Sequence, residues 1–321
     1  MSRSDLDRGD AGVVEWLTLS EIQARDRAAE LTQGHPADLL KPGVLSPQGV
    51  AVAGADGYLF IGDGSNRWER QYRGDLTIDP SWLASWRSCF EARQAEANQR
   101  GLQLWNFVAP EKQVIYADKR WPQGGVIGDA RPLRQLLASL PPSERLIYPQ
   151  AELTAARAQA PAFSRHNSHW SASGCCAAAA PLLAALGAEV DWSTLRFAYR
   201  SLEEPQDLTR HLFDPPPAEP AGWIALAGDL VFDHRPSEPG ASFTGSSYGL
   251  HNAAASDLRS VIVFGDSYAY DAGLTGVLSA VFTRVTFVWS KAVDWDRVAA
   301  EQADLVVWES AERFLTIVSQ A

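Results

Sequence analysis

Val261-Ile262-Val263-Phe264 is an unbroken apolar run that ends in Gly265-Asp266-Ser267. Such a run leaves no polar face for solvent, so it predicts a strand buried on both sides in a parallel sheet. Parallel strands need crossover connections, usually helices, and this stretch alone therefore points to an α/β fold. Gly265 frees the backbone for a tight turn at the strand's carboxyl end, the edge where open α/β sheets bind ligands. Residues 272–282 then read as a helix with Leu274, Val277, Leu278 and Val281 on one face. A hydroxyl at such a junction can point into a cleft while the following backbone N–H groups face it, as a serine nucleophile and its oxyanion hole require. An ordinary strand-to-helix loop carries the same three residues, so the rest of the chain has to decide.

The remaining pattern alternates helix and strand, as a parallel sheet demands. Thr18 and Glu21 form a capping-box pattern ahead of a helix over 22–31. Residues 57–63 read as a short buried strand and turn. Asp79 and Pro80 start a helix that Gly101 stops, with Trp82, Leu83, Trp86, Cys89, Phe90 and Arg93 on one stripe. Strands follow over 102–108 and 145–148, with a helix over 132–140 between them. An Ala-rich helix over 149–165 breaks at His166-Asn167-Ser168-His169-Trp170-Ser171, and a buried Ala/Leu helix follows over 174–186. Residues 187–256 are a long excursion with short strands. Strands over 285–289 and 305–308 flank a helix over 295–300. The organisation expected is an N-terminal extension, 1–56, disordered for about its first 15 residues, and one α/β domain over 57–321.

The net charge of −11 with no basic run excludes a nucleic-acid partner, whose phosphates need a positive footprint. Cys89, Cys175 and Cys176 are an odd set with two adjacent, which suits neither a disulfide framework nor a zinc site; Cys175 and Cys176 read as small core residues. No glycine-rich phosphate loop appears, so no cofactor and no metal are expected. No apolar run is long enough for a membrane span, and no signal core follows the polar start, Met1 to Asp10; the expectation is a cytoplasmic protein.

A serine nucleophile needs a base, and the chain has six histidines. His169 sits in a loop ahead of a helix, from which an imidazole can enter a cleft. Asn167 lies two residues before it, and in an extended loop i and i+2 point the same way, so its amide can fix the imidazole tautomer. His169 and Trp170 packing the loop onto the sheet is the alternative. Lys112 follows a strand end and faces either cleft or solvent. Trp68 and Trp121, in polar contexts, are candidates for ligand contact, while Glu309, Glu312 and Arg313 read first as structural ion pairing.

Gly57-Tyr58-Leu59-Phe60, Pro110-Glu111-Lys112 with Ile115-Tyr116, His169-Trp170 with Gly174, Gly265-Asp266-Ser267 and Glu312-Arg313-Phe314-Leu315 occur in that order. Over about residues 57–316 the chain thereby resembles the bacterial alginate O-acetyltransferase family. That resemblance implies an SGNH-hydrolase-like α/β domain, a parallel sheet flanked by helices, with permuted motif order: the histidine segment precedes the Gly-Asp-Ser segment. It implies a triad that takes an acetyl group from an acyl donor onto Ser267 and passes it to a hydroxyl of a sugar or other small acceptor. His169 would be the general base, with Gly265, Asp266, Tyr268, Lys112 and Trp170 around the oxyanion and substrate. One position departs from the family: Asn167 stands where its pattern has aspartate. An amide orients an imidazole but cannot give imidazolium a full counter-charge. Either Asn167 presents its carbonyl to His169, or another carboxylate takes over, or catalysis is weak. An esterase using the same residues, and a non-catalytic binding protein with a degraded triad, are the alternatives.

Overall fold

The computed structural model describes residues 13–122, 127–141, 145–236, 244–270 and 273–318. Its centre is a seven-stranded sheet in the order Leu146–Ile147, Gln103–Ala109, Leu305–Ala311, Asp257–Gly265, Phe282–Trp289, Ser247–His251, Asp229–His234. The first five strands pair in parallel. The last two join antiparallel and extend one edge.

Val261, Ile262, Val263 and Phe264 are at most 1% exposed, which meets the expectation of a strand buried on both faces. The pleat sends them alternately to two cores. Val261 and Val263 pack beneath the helices Ala172–Ala185 and Leu274–Val281. Ile262 and Phe264 pack against Trp82, Trp86, Cys89 and Phe90 of the helix Ser81–Gln99. The aromatic stripe is therefore core, with both indole N–H groups of Trp82 and Trp86 donating to the Leu315 carbonyl at 2.8 Å.

Residues 1–12, read as part of a disordered start, lie outside the described residues, but Val13–Thr18 is a strand. It pairs antiparallel with Arg196–Glu204, which pairs in turn with Glu219–Ile224. This three-stranded sheet lies within the segments read as extension and excursion. The capping box is present, with Glu21 Oε2 accepting the Thr18 N–H at 2.7 Å, and the helix runs Leu19–Glu30. Ile22, Ala37 and Ala51 belong to the same core as Val261, so residues 13–56 are packed into the domain. The Ala-rich helix is shorter than expected, Gln150–Ala156. Among the described residues no helix is long and apolar enough to cross a membrane.

Candidate active site

Ser267 opens the short helix Ser267–Tyr270 directly behind the strand Asp257–Gly265. Carboxyl groups pin the turn between them. Asp266 Oδ1 accepts the Tyr268 N–H at 3.0 Å, Asp266 Oδ2 accepts the Ala311 N–H at 2.8 Å, and Glu309 Oε2 accepts the Asp266 N–H at 3.0 Å. Burial, with Asp266 beside it, pushes the Glu309 carboxyl well above its ordinary pKa. A Cβ at Gly265 would fall 2.6 Å from Glu309 Oε2, so only glycine fits there. Gly265 and Asp266 thus build the turn. The Tyr268 N–H is taken by Asp266 and leaves the list of oxyanion donors; the Ser267 N–H, without a hydrogen-bond partner among the described residues, remains on it.

His169 comes to Ser267 from the loop before the helix Ala172–Ala185, whose start Ser171 caps by accepting the Gly174 N–H at 3.0 Å. His169 Nε2 lies 2.9 Å from Ser267 Oγ, and His169 Nδ1 lies 2.9 Å from Asn167 Oδ1. The amide orientation follows from its neighbours. The backbone N–H of His169, which can only donate, meets Asn167 Oδ1 at 2.9 Å, while Asn167 Nδ2 donates to Gln206 Oε1 at 2.8 Å. Asn167 Oδ1 is therefore an acceptor, Nδ1 of His169 carries the proton, and its Nε2 turns a lone pair to the serine. That is the tautomer a general base needs.

A carboxylate is also close. Asp207 accepts the Ser168 N–H at 2.8 Å and the Ser168 hydroxyl, and its Oδ2 stands 3.7 Å from His169 Nδ1. Asn167 thus presents its carbonyl to His169, one of the possibilities left open at position 167, and a carboxyl group stands just beyond it. Burial holds His169 below the ordinary imidazole pKa; Asp207 and Asp266 pull it up, and Arg313 pushes it further down. At neutral pH the ring is uncharged.

The other residues expected around the substrate hold the loop instead. Tyr268 donates its hydroxyl proton to the Ser168 carbonyl at 2.9 Å and sets its ring 4.8 Å from that of His169. Trp170 is 4% exposed, edge-on to Tyr268 and Phe107, which is the packing alternative. Lys112 is buried; its Nζ donates to the carbonyls of Leu59, Ser164, Arg165 and Asn167 at 2.6 to 3.1 Å. It faces neither cleft nor solvent. Arg313 pairs with buried Glu111 at 2.5 Å, and Glu312 with Arg131 at 3.0 Å, so the C-terminal motif is structural. Trp68 is fully buried in the core, not at a ligand; Trp121 is 46% exposed.

One group among the described residues has metal-ligand chemistry. His35, His166 and Glu219 bring their ligand atoms within 4.8 Å of one another beside a cavity of about 250 Å³ on the Gln206 side of the loop. The two imidazoles stack at 3.9 Å, so their in-plane lone pairs do not converge on one point. His35 Nδ1 also accepts the Ala37 N–H, which places the proton on the nitrogen that would have to bind. As arranged, the trio is a stacked pair tied to Glu219 through His166 Nδ1 at 2.7 Å.

A mostly parallel sheet between helical layers, a serine at the turn after a central strand and a histidine on the loop facing it define the class: the SGNH-like α/β fold, with the histidine segment first in the chain. No protein-family model and no curated protein matches the sequence. Among solved structures the chain is similar to a DHHW family protein from Eubacterium siraeum, with TM-score 0.59 and 12% identity over 86% of this chain and 96% of that one. It is similar to Bacillus cereus PatB1, solved with a sulfonyl adduct, with TM-score 0.55 and 9% identity over 76% and 95% of the two chains. It also aligns with the O-acetyltransferase domain of Pseudomonas putida AlgJ at TM-score 0.46 and 17% identity, over 87% and 94%. The first two likenesses speak for the fold alone, and the fold is the one the motifs implied.

Proposed function

We propose that the chain is an O-acyltransferase that carries an acetyl group on Ser267 and delivers it to a hydroxyl of a sugar or other small acceptor. The observation that supports this reading most is the relay Ser267–His169–Asn167, with both contacts at 2.9 Å and the tautomer fixed. In the first step Ser267 Oγ attacks the acyl carbonyl as its proton passes to His169 Nε2, and that proton then goes to the departing group. The Ser267 N–H faces the developing oxyanion. In the second step His169 takes the proton of the acceptor hydroxyl as its oxygen attacks the acyl carbon, and hands that proton to Ser267 Oγ as the ester bond to serine breaks.

The test is intact-mass spectrometry after exposure to p-nitrophenyl acetate, with peptide mapping. A gain of one acetyl group on Ser267 is expected, and its loss on adding polyols should be matched by acetylated polyol. Acetate release with no acetylated product, whatever the acceptor, would make the protein an esterase. No label at all would end the covalent reading. A sulfonyl fluoride provides a second probe, since an adduct of that kind was formed with PatB1; it should modify Ser267.

Position 167 makes a separate prediction. Asn167→Ala removes the acceptor for Nδ1–H and should slow acylation at least about 10²-fold through the wrong tautomer. Asn167→Asp keeps that acceptor and should hold or raise the rate, once Gln206 turns its amide to donate. Stopped-flow release of p-nitrophenolate reads both; equal rates for wild type and Asn167→Ala would remove Asn167 from the relay.

A further inference from the structure

We propose that Asp207 is the carboxylate that compensates for the missing charge at position 167, acting on His169 across Ser168. This rests on His169 being the base of the proposed reaction. When Ser267 Oγ bonds to the acyl carbon, its proton moves to His169 Nε2 and the ring becomes imidazolium. Asn167 Oδ1 holds Nδ1–H but offers only a dipole to that cation. Asp207 Oδ2, 3.7 Å from the same Nδ1, offers a full negative charge.

Asp207 is held for this position. Its Oδ1 accepts both the Ser168 and the Leu208 N–H groups at 2.8 Å, and its Oδ2 takes the Ser168 hydroxyl. Gln206, its neighbour in sequence, accepts from Asn167 Nδ2 at 2.8 Å, so one dipeptide secures both the orienting amide and the charge. That dipeptide follows the strand Arg196–Glu204, which the three-stranded sheet anchors. The Asp207 side chain is 36% exposed, so its field at the ring is partly screened. Among the described residues, the other charged groups acting on the ring are Asp266 and Arg313, of opposite sign. Asp207 is then the largest influence that favours the imidazolium over the neutral ring. Asp207 is a positioning residue: it touches His169's loop and not the reacting atoms.

The test reads the ring and not the reaction. The pKa of His169, followed by NMR titration and assigned by comparison with His169→Gln, should fall by about one unit in Asp207→Asn. In Asn167→Asp/Asp207→Asn, where the charge is restored on the other side of Ser168, it should return to the wild-type value or above. A merely structural role at position 207 could not be repaired from position 167. A fall of less than about half a unit, or no recovery in the double variant, overturns the proposal. If Asp207→Asn does not fold, Asp207→Ser carries the same expectation. Because the titration needs folded protein only, it stands apart from acylation: a labelled Ser267 with an unmoved pKa defeats Asp207 alone, while a shifted pKa with no label defeats the transferase reading alone.

Discussion

Ser267→Ala is expected to lose covalent acetylation entirely and to lower ester turnover on the order of 10⁴-fold or more, to the level that binding and backbone donors alone support. The fold should survive. The bonds that shape the turn run through Asp266, Glu309 and the Tyr268 and Ala311 N–H groups, and alanine disturbs none of them. Unchanged thermal unfolding beside lost labelling would therefore locate the defect in chemistry. His169→Gln should show nearly the same loss, because neither residue works without the other. The pH dependence carries a sign. His169 serves as base only when neutral, and burial holds its pKa below the ordinary 6.5. Labelling should thus be flat above that value and fall on the acid side as pH drops through the lowered pKa. A midpoint above 6.5 would mean that the carboxylates outweigh burial at the ring. Acetylation that persists in Ser267→Ala would refute the assignment of the nucleophile.

The parts of this site that are local in sequence are legible in it. A strand buried on both faces and a glycine turn place Ser267, and residues two apart in an extended loop bring Asn167 to His169. The parts that depend on long-range pairing are not. Gln206 and Asp207 reach the loop because Arg196–Glu204 is the middle strand of a three-stranded sheet, whose partners come from the first described residues and from beyond Pro217. Nothing in the Pro-rich, weakly periodic stretch that holds them distinguishes Asp207 from a solvated acid; a search for a carboxylate to replace the missing aspartate is the signal that could have led there. Lys112 fails for a related reason. A lysine after a strand end reads as surface or cleft, and only the fold shows four carbonyls turned toward it. Trp68 follows a polar turn in sequence, yet it packs fully buried against Tyr72 because the next turn of chain is helical, Trp68–Arg73.

Lys112→Met is expected to destabilise the protein and slow acylation together, because this one ammonium joins three of the sequence motifs. It follows Glu111 in one, meets the Leu59 carbonyl of a second, and meets Ser164, Arg165 and Asn167 of the histidine loop. Two effects oppose each other in the substitution. Burial already pushes Lys112 down to about 7, so removing the ammonium relieves a desolvation cost. Against that, methionine leaves the Leu59, Ser164 and Asn167 carbonyls without this donor, at about 1–3 kcal/mol for each left unsatisfied, while the Arg165 carbonyl keeps the Leu59 N–H. With several carbonyls orphaned the second effect wins, for a net loss of about 3 kcal/mol, comparable to breaking a buried ion pair. In a chain of this size that lowers Tm by roughly 4–5 °C. The rate should fall further than the folded fraction does. Asn167 loses the bond to its own carbonyl, and a shift of about 1 Å in His169 costs on the order of 10² in rate. Differential scanning calorimetry and labelling measured well below the new Tm separate the two losses. A Tm within about 2 °C of wild type would show that relief of the buried charge balances the carbonyls, and that the loop is held by Tyr268 and Asp207 without Lys112.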